Sequence, residues 1–163
     1  MITERIGNLL TDPQVNVIAH QCNCFHTMGG GIARIIAQMY PEAVRADNET
    51  PHGDESKMGT FSVATVQRGD KKIRIVNMYG QYKTSNTERM TRYDALHDAL
   101  FELEATIRAS VNVDQYIVGV PYGLGSALGG GSWTIVRAIL ERIFGKSPVQ
   151  LHIIRLPDVP DLE

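Results

Sequence analysis

The sequence predicts an α/β protein, a three-layer α/β/α sandwich around a mixed, mainly parallel sheet. Three observations carry that expectation. Short continuous apolar runs recur along the chain, and such runs suit strands buried on both faces. Three other stretches place apolar residues at three-four spacing, the mark of one apolar helix face. The two kinds alternate in the order strand, helix, two strands, helix, strand, helix, strand, which builds helices onto both faces of one sheet. A chain of 163 residues, 43% of them hydrophobic, can bury one sizeable core. A single domain spanning 1–163 is therefore expected, with no internal repeat or low-complexity segment to divide it.

The first strand is read in "VNVIA" (15–19), and the first helix in Ile32, Ile35, Ile36 and Met39, with Pro41 marking its end or a break. "TFSVATV" (60–66) alternates more than the other runs and fits a strand nearer an edge, while "IRIVNMY" (73–79) is continuous. Tyr93, Leu96, Leu100, Leu103 and Ile107 line one face of the second helix. "YIVGV" (116–120) is the next strand. Val136, Ile139, Leu140 and Ile143 form the third helix, which Ser132 can cap and which Gly145 and Pro148 stop. "LHII" (151–154) closes the series. The polar stretches 47–59 and 80–92 are loops.

Composition narrows the function classes. Sixteen basic against eighteen acidic residues, a net charge of -2, leave no excess of cations to neutralise a phosphate backbone, which argues against direct nucleic-acid binding. Met1 leads into "ITERIGNLL" without a basic n-region or a long apolar h-region, and no apolar run is long enough to span a membrane. A soluble, cytoplasmic protein is the expectation. Cys22 and Cys24, the only cysteines, are too close together to staple distant parts of a secreted scaffold and are read as reduced thiols.

The chemistry concentrates in "IAHQCNCFHTMGGGIARIIAQMYPEA" (18–43). His20, Cys22, Cys24 and His26 alternate, so an extended segment would project all four to one side. Structural zinc sites draw their ligands from two separated pairs, and four alternating ligands cannot close around an ion unless the strand kinks; no metal is assigned. A cysteine phosphatase needs an arginine bracketing a short loop with its thiolate, and Arg34 lies well inside the following helix. Gly29, Gly30 and Gly31 fit better with an anion: lacking Cβ atoms, they let backbone N–H groups and a helix terminus approach a phosphate. A second glycine loop, "VPYGLGSALGGGSW" (120–133), also leaves a strand and enters a helix. Two such loops at the carboxyl ends of sheet strands can grip one elongated ligand, and a diphosphate bridging two sugars is the natural candidate. No Gly-Lys-Ser/Thr follows either cluster, which excludes a P-loop. Leu128 stands where a dinucleotide fingerprint after Gly123-x-Gly125 would need its third glycine.

These residues resemble the macrodomain family of ADP-ribose-binding α/β/α sandwiches. The likeness is closest to its yeast-type ADP-ribose-1''-phosphate phosphatase branch from "RIGNLL" through "HQCNCFHTMGGGIARIIAQMYPEA", Arg5 to Ala43. The late Gly-x-Gly loop followed by Trp133 is similar to the terminal-ADP-ribose glycohydrolase branch as well. The resemblance implies ADP-ribose or a derivative such as ADP-ribose-1''-phosphate as ligand, with no cofactor. By position, Asn8 stands where many macrodomains use an aspartate toward adenine, and Asn23 matches the asparagine on the distal ribose. Gly29, Gly30, Gly31 and Ile32 match the first phosphate loop; Gly123, Gly125, Ser126, Ala127 and Leu128 fall in the second. His20 matches the histidine of the phosphatase branch and forms, with Asn23, the candidate catalytic pair, since an imidazole can move a proton near neutral pH.

The chain departs from the glycohydrolase branch. Its aspartate position falls near Ala127 and its lysine position around Tyr79 to Gln81, with Lys83 close by. Leu128 and Gly129 offer no aromatic ring over the distal ribose; Tyr79, Tyr82 and Trp133 are nearby rings, each read more readily as packing. The function implied is hydrolysis of ADP-ribose-1''-phosphate. A non-catalytic reader or scavenger, or removal of ADP-ribose from modified macromolecules, are the alternatives. His26 is a weaker candidate than His20, and His52, His97 and His152 are assigned no role.

Overall fold

The computed structural model describes residues 1–162. Its strands are β1 (Ile2–Ile6), β2 (Val17–Cys22), β3 (Phe61–Arg68), β4 (Lys71–Tyr79), β5 (Ile117–Pro121) and β6 (Gln150–Arg155). Its helices are α1 (Gly31–Met39), α2 (Pro41–Asn48), α3 (Tyr93–Arg108) and α4 (Trp133–Phe144). The strands form one sheet in the order β1-β6-β5-β2-β4-β3. All pairings are parallel except β3 with β4 at one edge. The mixed, mainly parallel α/β/α architecture is the one the apolar runs and helical spacings predict, and the more alternating run does lie at an edge.

Successive residues of a strand face opposite sides, so each run divides between two cores. Val17, Ala19, Val76, Met78, Val118 and Val120 pack beneath α3 and α4 with Leu100, Val136 and Leu140. Ile18, Ile73 and Ile75 pack beneath α1 and α2 with Ile36, Tyr40 and Ala43. Among the described residues no helix is long and apolar enough to cross a membrane.

Two elements differ from the expectation. "ITERI" is a strand, β1, although Thr3 and Glu4 are exposed; it sits at the second sheet edge, held by main-chain pairing to β6. Pro41 does more than end a helix. The Tyr40 N–H closes α1 on the Ile36 carbonyl, and Pro41, whose missing N–H is no loss in a first turn, opens α2. Asp47 and Asn48, expected in a loop, are the end of that helix. β2 also runs past the apolar stretch 15–19 through His20, Gln21 and Cys22. Ser132 caps α4, its side chain accepting from the Ile135 N–H.

Candidate ligand-binding site

Past the carboxyl ends of β2, β4 and β5 the chain opens a cleft of about 430 Å³, lined by both glycine loops. On one wall, Gly29, Gly30 and Gly31 lead into α1, whose first intrahelical bond runs from the Arg34 N–H to the Gly30 carbonyl. The N–H groups of Gly31, Ile32 and Ala33 therefore have no carbonyl behind them in the helix, and the helix dipole adds partial positive charge there. The loop is shaped from within: Asn23 accepts from the Phe25 N–H at 2.8 Å and donates to Thr27 Oγ1 at 2.8 Å.

The opposite wall is the 121–129 segment. Gly123 (φ +81°) and Gly125 (φ +73°) adopt the left-handed backbone that its turns require. Ser126 donates to the Gly123 carbonyl at 2.6 Å, and Thr91 to the Gly125 carbonyl at 2.7 Å. Gln21, at the floor, donates to Thr91 at 2.9 Å and Gln81 at 2.8 Å, tying β2 to this wall. The walls meet at one point, where Leu128 lies against Gly30 so closely that a Cβ there would stand 2.6 Å from Leu128 Cδ1.

No family model matches the chain. Over 136 residues it is 32% identical to an uncharacterised 17.5 kDa protein of Enterobacteria phage T4, covering 79% of this chain and 80% of the phage protein. Over 130 residues it is 28% identical to the ADP-ribose 1''-phosphate phosphatase of Lodderomyces elongisporus, covering 78% and 80%. Its fold matches the macrodomain of Mycobacterium tuberculosis DarG with a TM-score of 0.75 at 25% sequence identity, over 97% of this chain and 99% of that one. The chain belongs to the macrodomain family.

Within this macrodomain the cleft gathers most of the residues expected there: Asn23, Gly29, Gly30, Gly31, Ile32, Gly123, Gly125, Ala127 and Leu128. Ser126 is not among the lining residues; its hydroxyl closes the turn behind the wall. Asn8 also lies outside, exposed, its amide oxygen capping a short 3-10 turn through the Leu10 N–H.

The catalytic expectation for His20 needs correction. The ring is fully buried on the α2 side of the sheet, absent from the cleft lining, and bonded through Nε2 to Asn77 Oδ1 at 2.7 Å. Burial pushes its pKa down to about 4, the Asn77 contact opposing only in part, so the imidazole is neutral near pH 7. His26 is occupied at Thr50, 2.8 Å from its carbonyl oxygen. The four alternating side chains do not converge: Cys22 packs on His20, while Cys24 turns to Met58 and the Gln81 carbonyl. Burial raises the Cys22 thiol well above its ordinary range, so it is no ready nucleophile. Tyr79, Tyr82 and Trp133 stand outside the lining, Tyr79 and Trp133 buried and Tyr82 bonded to the Gly53 carbonyl.

Of the lining side chains outside the expected set, three bear on the chemistry. Gln81 occupies the edge of the region where the glycohydrolase branch has lysine, and Tyr122 supplies a ring that packs 5.1 Å from Trp133. The third is Asp47, 2% exposed, with its carboxylate bonded to the Tyr79 hydroxyl at 2.7 Å. No local spacing marks it, because its partner lies 32 residues away on β4.

Proposed function

We propose that this macrodomain binds ADP-ribose and hydrolyses ADP-ribose-1''-phosphate to ADP-ribose and phosphate. The observation that carries the reading is the pair of backbone walls meeting across one cleft at the carboxyl edge of the sheet. Orphan N–H groups at a helix start suit a diphosphate, and a cleft running past both walls suits the two sugars on either side of it. The 28% identity to a phosphatase of this substrate supports the reaction. Binding without turnover is the second reading. It is favoured by the cleft lining itself, which among the described residues holds no histidine, lysine or arginine.

The two readings separate in one set of measurements. Saturating ADP-ribose should raise the melting temperature by mass action, since only the folded state holds the cleft. An unchanged melting temperature would count against both. Phosphate release from ADP-ribose-1''-phosphate then distinguishes them: turnover supports the hydrolase, and tight binding with none supports the reader.

A further inference from the structure

His20 lies behind the cleft, yet it is connected to it. In the parallel pairing of β2 with β4, His20 stands opposite Asn77 and Cys22 opposite Tyr79, while the antiparallel pairing of β3 sets Ser62 opposite Asn77. Three polar side chains thus form a row across three strands beneath α2. Their hydrogen bonds have one direction, which follows from the cleft inward. The Tyr79 hydroxyl donates to Asp47 Oδ1 at 2.7 Å, which commits its only proton. The contact between Tyr79 and Ser62 at 2.8 Å must then be donated by Ser62. Ser62 in turn accepts from Asn77 Nδ2 at 3.1 Å, which leaves Asn77 Oδ1 to accept from His20 Nε2–H at 2.7 Å. Asn77 is pinned a second time, donating to the Ala43 carbonyl of α2 at 3.0 Å.

Every donor in this chain points toward Asp47, and bonds aligned head to tail polarise one another. Among the described residues Asp47 is the one charged side chain lining the cleft. Its second carboxylate oxygen takes no hydrogen bond from the described residues. The buried Lys57 places its Nζ 4.5 Å over the Tyr79 ring, where it donates to the Cys24 carbonyl.

We propose that Asp47 is the catalytic proton acceptor of the cleft, and that His20, Asn77, Ser62 and Tyr79 are positioning residues that hold its carboxylate. The assignment rests on the phosphatase reading above. In the step it describes, the oxygen of a water attacks the terminal phosphorus while a proton passes from that water to the free Asp47 oxygen. The bond between phosphorus and the distal ribose oxygen breaks, its electron pair stays on the ribose oxygen, and the Asp47 proton passes on to that oxygen. ADP-ribose and hydrogen phosphate leave, and the carboxylate is restored.

The test follows phosphate release from ADP-ribose-1''-phosphate by the full chain, with ADP-ribose affinity measured separately by calorimetry. Asp47→Asn keeps the shape of the side chain and should lower kcat by about 10²- to 10⁴-fold, the range for loss of a general base, with affinity nearly unchanged. Tyr79→Phe should lower kcat by less, with KM unchanged. The double variant Asp47→Asn/Tyr79→Phe should be no slower than Asp47→Asn alone, because a residue acting through Asp47 has nothing left to act on. A wild-type enzyme whose Asp47→Asn variant turns over at the full rate overturns the assignment and leaves the phosphatase reading standing. Losses that multiply in the double variant overturn the positioning chain. Should the wild type release no phosphate, the phosphatase reading falls and takes the assignment with it. If Asp47→Asn does not fold, Tyr79→Phe carries the test, and an unchanged kcat there overturns the proposal.

Discussion

Against α3 and α4 the sheet presents hydrocarbon along most of its length, with Val17 and Ala19 on β2 and Val76 and Met78 on β4, and Gln21 at the end of β2 is polar on that face. Against α1 and α2 the same two strands turn from Ile18 and Ile75 to His20, Asn77 and Tyr79 as they near the cleft. The contrast separates two tasks. Hydrocarbon burial stabilises the fold without regard to direction. A buried polar row costs stability unless every member is paired, and what it supplies in return is fixed geometry. The apolar face should therefore govern how stable the protein is, and the polar face how that stability depends on pH and how the cleft is held.

The largest effect is expected on the apolar face. Leu100 of α3 is fully buried there, and Leu100→Ala should cost about 2–5 kcal/mol, the usual range for a large-to-small change that leaves a cavity. Urea denaturation at pH 7 measures it. The loss should be the same at pH 5, since no ionisable group is removed; a loss that changes with pH would blur the distinction between the faces.

On the polar face the expectation is a pH dependence. His20 has a folded pKa near 4 against an unfolded value of about 6.5. Between those values the unfolded chain binds the proton and the folded one does not. Its contribution is therefore complete above pH 6.5 and is lost as pH falls toward 4, by about 3 kcal/mol for a shift of this size. Burial and Arg5 push His152 in the same direction, whereas the Arg5 guanidinium holds Asp12 down at about 2, so its contribution is lost only below the usual carboxylate range. His20→Gln removes one titration and should flatten the stability curve between pH 4 and 6.5. Parallel curves for wild type and variant would remove His20 from the account.

The smallest effect belongs to the cleft. Gly30→Ala adds a methyl group that meets only the far end of Leu128, a side chain 61% exposed and free to swing, so the fold should hold. The methyl group intrudes where the two walls meet, and ADP-ribose affinity should fall about tenfold, equivalent to about 1.4 kcal/mol. Leu128→Ala in the same chain should recover little of it if the obstruction is toward the ligand, and most of it if the loops are merely forced apart.

How much of this was legible in the sequence depends on where each signal is stored. The apolar runs and helical spacings reveal themselves because burial selects residue type, and the glycine loops because their backbone demands it. β1 is hidden because an edge strand is held by main-chain bonds that Thr3 and Glu4 do nothing to announce. α2 is hidden because only Ala43 and Asp47 of its eight residues are buried. For His20, alternation shows which residues share a face and leaves open which face that is. His20 lies one step short of the strand's end, buried beneath α2, and Gln21 and Cys22, which follow it, line the cleft in its place. Asp47 is invisible in one dimension, since its significance depends on Tyr79 and on the register of β2, β3 and β4.

The contact between Leu128 and Gly30 bears on the kinetics of exchange. A cleft bridged at one point cannot release an elongated molecule sideways unless the bridge opens. Here the bridge is a single exposed leucine side chain, and such side chains change rotamer in picoseconds to nanoseconds. Opening on that scale is far faster than the residence of a tightly held molecule, which runs from milliseconds upward in specific complexes. Residence time in this cleft is then set by how many backbone contacts must break together, and varying the leucine should leave the off-rate far less changed than varying the loops it spans.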